Sequence, residues 1–89
     1  MTTKTWTVQV LLNEDGDDTS ADAALTVENK MQLRGHGTSR RNPRDELEPR
    51  IGDELAAARA LSDLAHQLLS VAASDIESKT RVPARSLEL

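Results

Sequence analysis

The sequence predicts a small α+β domain in which a three-stranded antiparallel sheet is followed by a long C-terminal helix. Apolar and polar residues alternate over about 4–12, 19–27 and 30–40, as in half-buried strands. Apolar residues then recur at three- and four-residue steps over about 49–79, as in an α-helix. Eighty-nine residues suit one domain, so the predicted element order of residues 1–89 is β-β-β-α.

The first predicted strand carries large apolar side chains on one face. These side chains are Trp6, Val8, Val10 and Leu12. An acidic, turn-forming segment, 13–18, follows the strand. It superficially resembles a calcium loop, but the closing glutamate is missing and no helix precedes it. We therefore interpret this segment as a solvated turn, and the sequence predicts no metal site.

The second predicted strand has small residues on its inner face. The residues that point to this face are Ala21, Ala23, Leu25 and Val27. The small alanines predict a crowded sheet face with a helix lying close to it. Glu28 and Asn29 then predict a hairpin turn into the third strand.

Two glycines interrupt the third predicted strand. Met31 and Leu33 are its apolar members, while Gly35 and Gly37 weaken the strand or mark a bulge or a close backbone approach. The loop that follows contains Pro43, which blocks continuation of either a helix or a central strand.

The predicted helix carries two apolar stripes. The first stripe consists of Ile51, Leu55, Ala58, Ser62, Ala65, Leu69, Ala72 and Ile76. The second stripe consists of Ala57, Leu61, Leu64, Leu68 and Val71. One stripe is enough to cover one sheet, so two stripes indicate a helix buried on more than one side. A chain of this size cannot easily achieve that alone, and we therefore predict a homodimer.

Eight helix residues are predicted to form the core or the dimer interface. They are Ile51, Leu55, Leu61, Leu64, Leu68, Leu69, Val71 and Ile76. The first six of these are expected to cover the sheet. The segment 74–77 resembles a capping box, so a short second helix starting near Ser74 is an alternative to one continuous helix. Pro83 cannot continue the helix, and the extended tail 80–89 could dock on a neighbouring chain.

Composition favours a non-enzymatic, cytoplasmic protein. Cysteine is absent, Trp6 is the one aromatic residue, and no apolar run approaches the length of a membrane span. The N-terminus lacks the apolar core of a signal peptide. His36 and His66 lie in different predicted elements, and no nucleophile motif or phosphate loop is present. We expect no catalytic residues, no cofactor and no small-molecule substrate.

A basic segment is the strongest candidate for a binding site. Its cationic residues are Lys30, Arg34, His36, Arg40, Arg41 and Arg44. In a strand, its even-numbered members share one face, and such a row of cations suits RNA phosphates or an acidic protein. The aromatic platforms used to bind single-stranded RNA are absent. The alternative is a solvated face whose charges balance the acidic first turn, in the same chain or in a partner chain. The net charge of −4 argues against a generic nucleic-acid coat protein, which is usually basic.

Several motifs spread over nearly the whole chain resemble those of a known family. The resemblance rests on Trp6-Thr7-Val8, Ala21-x-Ala23-x-Leu25, Gly35-x-Gly37, Arg41-Asn42-Pro43, the run 51–66 and Asp75-Ile76-Glu77. These residues resemble a small, largely uncharacterised actinobacterial family. Its better-known members are dormancy- and hypoxia-associated proteins.

This resemblance implies a fold like that of the double-stranded-RNA-binding domain and a segment-swapped or intertwined dimer. Members of the family are similar in shape to ribosome hibernation promoting factors. The expected function is therefore a non-enzymatic stress or dormancy factor that binds the ribosome or structured RNA through the basic segment. The alternative expectation is a dimeric protein–protein interaction adaptor with no nucleic-acid role.

Overall fold

Sequential antiparallel pairing builds the sheet in the computed structural model, which describes residues 1–27, 31–42 and 48–80. The elements are β1 (Thr7–Asp15), β2 (Asp18–Val27), β3 (Met31–Arg40) and α1 (Pro49–Thr80). The strand order is β1-β2-β3, which places β2 in the centre and the other two strands at the edges. The predicted fold class, three antiparallel strands followed by one long helix, is confirmed.

The turn between β1 and β2 is tighter than predicted. Asp15 pairs with Asp18, so the turn contains only Gly16 and Asp17. Gly16 has a φ of 62°, a left-handed conformation that glycine adopts without the steric cost of a Cβ. Most of the acidic segment predicted as a loop is therefore strand, and β1 extends to Asp15 rather than ending near Leu12.

The core lies between the helix and the inner face of β2 and β3. Its buried members are Ala21, Ala23, Leu25, Ala56, Ala60 and Leu64. Gly35 and Gly37 face the same layer, and a Cβ on either would lie closer than 3 Å to backbone atoms of the helix. The predicted close approach of the helix is thus confirmed. Small residues on both surfaces let the two backbones approach closely, which leaves little space for large side chains. Among the described residues, Leu25 is the one large side chain that is fully buried.

The helix is continuous through Ser74, so the alternative of a second short helix is wrong. Its buried positions, Ala56, Ala60 and Leu64, follow a four-residue step, and Leu68 packs against their cluster. The two alanines were not predicted as core residues, because the larger side chains of the helix stripes carry a stronger hydrophobic signal. The short distance between helix and sheet leaves no space for such side chains at the centre of the contact.

The predicted core residues divide into two groups. Leu64 is buried and Leu68 is partly buried, while Leu69 and Val71 are half-buried. The residues that stay exposed in the single chain are Ile51, Leu55, Leu61 and Ile76. These four were predicted to lie in the core or at the dimer interface. Their exposure corrects the expectation that Ile51, Leu55 and Leu61 cover the sheet.

Three predicted features lie outside the described residues: the turn at 28–29, the loop around Pro43 and the tail beyond Thr80. Lys30 and Arg44 of the basic segment also lie outside them. No helix within the described ranges is long and apolar enough to cross a membrane.

Candidate interaction surfaces

The predicted cationic residues of β3 lie on the side of the sheet away from the helix. Arg34, His36 and Arg40 are exposed on β3, and they alternate with Leu33, Gly35 and other residues that face the helix. The alternation of a regular strand produces this arrangement, as the sequence analysis predicted.

Acidic side chains of the neighbouring strand and turn offset these cations. Asp22 Oδ1 lies 2.8 Å from His36 Nδ1, and Asp18 Oδ1 lies 3.6 Å from Arg40 Nε. The antiparallel register causes both contacts, since it pairs Asp22 with His36 and Asp18 with Arg40. These residues form a face of mixed charge rather than a cationic row.

The third ion pair joins the end of β3 to the first turn. Arg41 Nη2 lies 2.5 Å from Asp17 Oδ1, and the Arg41 amide donates a hydrogen bond to the Asp17 carbonyl at 2.8 Å. The Arg34 guanidinium hydrogen-bonds the Gln32 side chain at 3.3 Å. These contacts agree with the alternative in which the basic segment balances the acidic first turn. These ion pairs could have been predicted from the sequence by aligning the second and third predicted strands as an antiparallel hairpin, which places the acidic segment opposite the basic one.

The outer edge of β3 is covered by polar side chains of the helix. Asp63 accepts a hydrogen bond from the His36 amide at 2.8 Å. Arg59 Nη1 donates to the Thr38 carbonyl at 2.7 Å, and Gln67 Nε2 donates to the Arg34 carbonyl at 2.5 Å. The three helix residues are spaced four apart and therefore lie on one stripe of the helix. They occupy backbone groups that an additional strand would otherwise bind.

The outer edge of β1 has no such cover within the described chain. All nine residues of β1 are exposed, and no described side chain hydrogen-bonds to its backbone. The register pairs Val8 with Leu25, Val10 with Ala23 and Leu12 with Ala21, so these β1 side chains point to the helix side of the sheet. The helix nevertheless leaves them open.

We call this surface the open apolar strip. It consists of Trp6, Val8, Val10 and Leu12, with exposed fractions of 52%, 41%, 37% and 40%. Leu61 lies on the opposite side of the helix from the Arg59–Asp63–Gln67 stripe, because successive helix residues are rotated by about 100°. It therefore faces the β1 side of the molecule, and it is 43% exposed. A strand edge and an apolar surface thus lie together along β1.

The two described histidines lie apart from any potential metal-binding cluster. No cluster of three histidine, aspartate or glutamate side chains that could hold a metal ion occurs in the described residues. His66 Nδ1 lies 2.7 Å from the Ser62 carbonyl, one turn earlier on the helix, and is remote in sequence from the His36–Asp22 pair.

Comparison with known proteins places the chain in a family. A family model described as Rv2632c-like matches residues 4–85. The chain belongs to this family. It is 46% identical over 84 residues to the uncharacterized protein Rv2632c of Mycobacterium tuberculosis (strain ATCC 25618 / H37Rv), covering 94% of this chain and 89% of that protein. It is 48% identical over 82 residues to the uncharacterized protein Mb1767 of Mycobacterium bovis, covering 92% and 86%.

A solved member of the Rv2632c-like family has the same fold. The crystal structure of Rv2632c superposes with a TM-score of 0.84 at 46% identity, covering 93% of this chain and 98% of that one. The predicted membership of a small uncharacterised family is therefore confirmed, with relatives in mycobacteria. The names of these relatives assign no activity or partner.

Proposed function

We propose that this protein is a non-enzymatic protein–protein interaction module that acts as a homodimer. The observation that carries the proposal is the open apolar strip along β1. Large apolar side chains on the helix side of a sheet normally lie under the helix, but here the helix covers β2 and β3 instead. Burying apolar surface contributes about 25 cal/mol per Å², so a partner that covers the strip would form a complex stabilised by this burial.

A second copy is the partner that best fits these properties. The chain has a thin core of small residues and one fully buried large side chain. Small domains commonly compensate for such a core by associating. Ile51, Leu55 and Ile76, on the helix stripe away from the core, provide additional apolar surface for a dimer or for a further protein.

Sedimentation equilibrium at micromolar concentration tests this function. We expect about twice the mass of one chain. A matched pair of variants locates the contact: Val10→Lys on the strip should shift the equilibrium toward monomer, and Gln32→Lys on the far edge strand should not. A monomer at high concentration would remove the proposal.

A stress- or dormancy-associated factor that binds the ribosome or structured RNA is the second candidate. The exposure of Arg34 and Arg40 on one face favours it, since 76% of the Arg40 side chain is accessible. The family resemblance of the sequence implies a fold like the double-stranded-RNA-binding domain and a likeness to hibernation factors, and that implication adds support. The ion pairs with Asp18 and Asp22 disfavour it, because those carboxylates repel phosphate.

Co-sedimentation with ribosomes from stationary or oxygen-starved cells separates the two functions. An RNA-binding factor should pellet with ribosomes at low salt, dissociate steeply as salt rises, and lose binding in Arg34→Glu and Arg40→Glu variants. Lys79→Glu, at the exposed C-terminal end of the helix, is the charge-matched control, because it also changes the charge by −2. Protein that stays in the supernatant at low salt would exclude the RNA function and leave the interaction module.

A further inference from the structure

The two edges of the sheet differ in how far the helix covers them. The β3 edge is occupied by Arg59, Asp63 and Gln67 of the helix, whereas the β1 edge is open along its full length within the described chain. Unpaired strand edges are templates for pairing with another strand, and natural proteins usually block them. Between Thr7 and Asn13, β1 contains no proline and no charged residue that would block pairing.

We propose that β1 pairs antiparallel with β1 of a second copy and joins the two sheets into one six-stranded sheet. This inference rests on the proposed homodimer and adds its contact surface and register. A two-fold axis perpendicular to the sheet generates such a pair and makes the contact isologous. The same axis keeps both helices on one side, so the two open apolar strips adjoin and Leu61 of each copy faces the joint.

The residues of β1 select the register. With Gln9 opposite its own copy, Val8 lies opposite Val10 and Trp6 lies opposite Leu12 of the second copy. All four members of the strip then pair with apolar residues on one face, which is the contact that stabilises sheets. Centring the pair on Val10 or on Leu11 instead would place Trp6 or Val8 opposite Glu14.

Charge supports the same register. Lys4 is the one basic residue among residues 1–28, and the acidic residues of β1 lie at its far end. With Gln9 at the axis, Lys4 of one copy lies opposite Glu14 of the other, on the same face of the sheet. Symmetry repeats this contact, so each dimer contains two Lys4–Glu14 pairs. This register also places the two acidic turns at opposite ends of the paired strands, so they do not repel each other.

Single-cysteine cross-linking tests the contact directly, because the native chain has no cysteine. Directly opposed residues in antiparallel strands have Cα atoms about 4.5–5.5 Å apart, which is within disulfide range. Under mild oxidation, Gln9→Cys should form a covalent dimer at least about tenfold faster than Gln32→Cys. Gln32 is the matched control, since it is exposed on the same outer face but lies on the blocked edge strand.

A charge exchange tests the register. Lys4→Glu should raise the dimer dissociation constant by about threefold to tenfold, as expected for two exposed ion pairs. Adding Glu14→Lys to that variant should restore the parental value. A double variant that dimerises no better than Lys4→Glu alone would overturn this register.

The outcomes separate this inference from the proposed function. Dimers in sedimentation together with selective cross-linking of Gln9→Cys support both. Dimers in sedimentation with Gln9→Cys reacting no faster than Gln32→Cys overturn the β1 contact and leave the homodimer in place. A monomer in sedimentation overturns both.

Discussion

The helix covers one edge strand of this small sheet and leaves the other exposed, because it lies off-centre over the sheet. On the β3 side, three helix side chains spaced four residues apart hydrogen-bond to the strand's outward backbone. On the β1 side, the helix reaches neither the backbone edge nor most of the apolar side chains. One helix position thus protects one edge against association and exposes the other to it. The glycines of β3 cause this placement, because the helix settles where the sheet has no side chains.

The largest effect should come from filling that glycine surface. In Gly37→Ala, the new Cβ would overlap the backbone of the helix near Ala56 and Ala60, which cannot move without shifting the whole element. We expect a loss of about 3 kcal/mol or more in the free energy of unfolding, enough to unfold a marginal domain. Urea denaturation followed by circular dichroism measures this loss.

Gly52→Ala is the matched control for that variant. A Cβ there meets its nearest neighbour, Thr19 Oγ1, at 3.1 Å, and alanine is the better helix former. We expect a change within about 1 kcal/mol. Equal stability losses in the two variants would show that the contact between β3 and the helix is looser than described.

The next effect compares the two sides of the helix. Leu64 is 3% exposed and packs on the sheet, whereas Leu61 is 43% exposed and faces the β1 side. Leu64→Ala should lower the free energy of unfolding by about 2–5 kcal/mol. Leu61→Ala should lower the monomer's stability by less and weaken dimerisation instead. Thermal melts at several protein concentrations distinguish the two, and a Leu64→Ala protein that melts like the parent would contradict the assigned core.

A smaller effect should follow from uncovering the β3 edge. Asp63→Ala removes the acceptor for the His36 amide, a bond that contributes about 1 kcal/mol. The His36 amide should then exchange with deuterium about fivefold to tenfold faster, because roughly 1.4 kcal/mol corresponds to a factor of ten. Asp75→Ala, which alters an exposed acid farther along the helix, should leave that amide unchanged. Unchanged His36 exchange in Asp63→Ala would mean that Asp63 does not protect this edge.

The sequence predicted the regular elements well because their periodicity is local. Alternation around Val8 and Ala23 defines strands. Of the alternatives predicted for Gly35 and Gly37, the close backbone approach is the correct one. The residues that fill the contact were harder to predict. Ala56 and Ala60 carry little hydrophobic signal, and they form the core because the glycines opposite them bring the helix close.

The candidate site was only partly predictable for a similar reason. The row of Arg34, His36 and Arg40 follows from the alternation of one strand, but the Asp18 and Asp22 partners depend on the register between two strands. The pairing of Val27 with Met31 fixes that register, and the alternation within a single strand does not contain it. The hydrogen bonds along the β3 edge join residues 21 to 33 positions apart, so no local pattern contains them.

The smallest expected effect on stability concerns the outer face, and it compares β2 with β3. Asp18→Asn combined with Asp22→Asn removes both carboxylates that neighbour Arg40 and His36, and each pair is exposed. Exposed ion pairs contribute at most about 1 kcal/mol each, so the unfolding free energy should change little.

The same double variant makes the outer face more cationic, and its binding to double-stranded RNA at low salt should strengthen if these acids suppress that binding. Asp53→Asn combined with Asp75→Asn makes the same charge change on the helix. Equal RNA binding by the two double variants would show that net charge matters and that this face is not an RNA site; stronger binding by the β2 variant alone would assign the contact to β3.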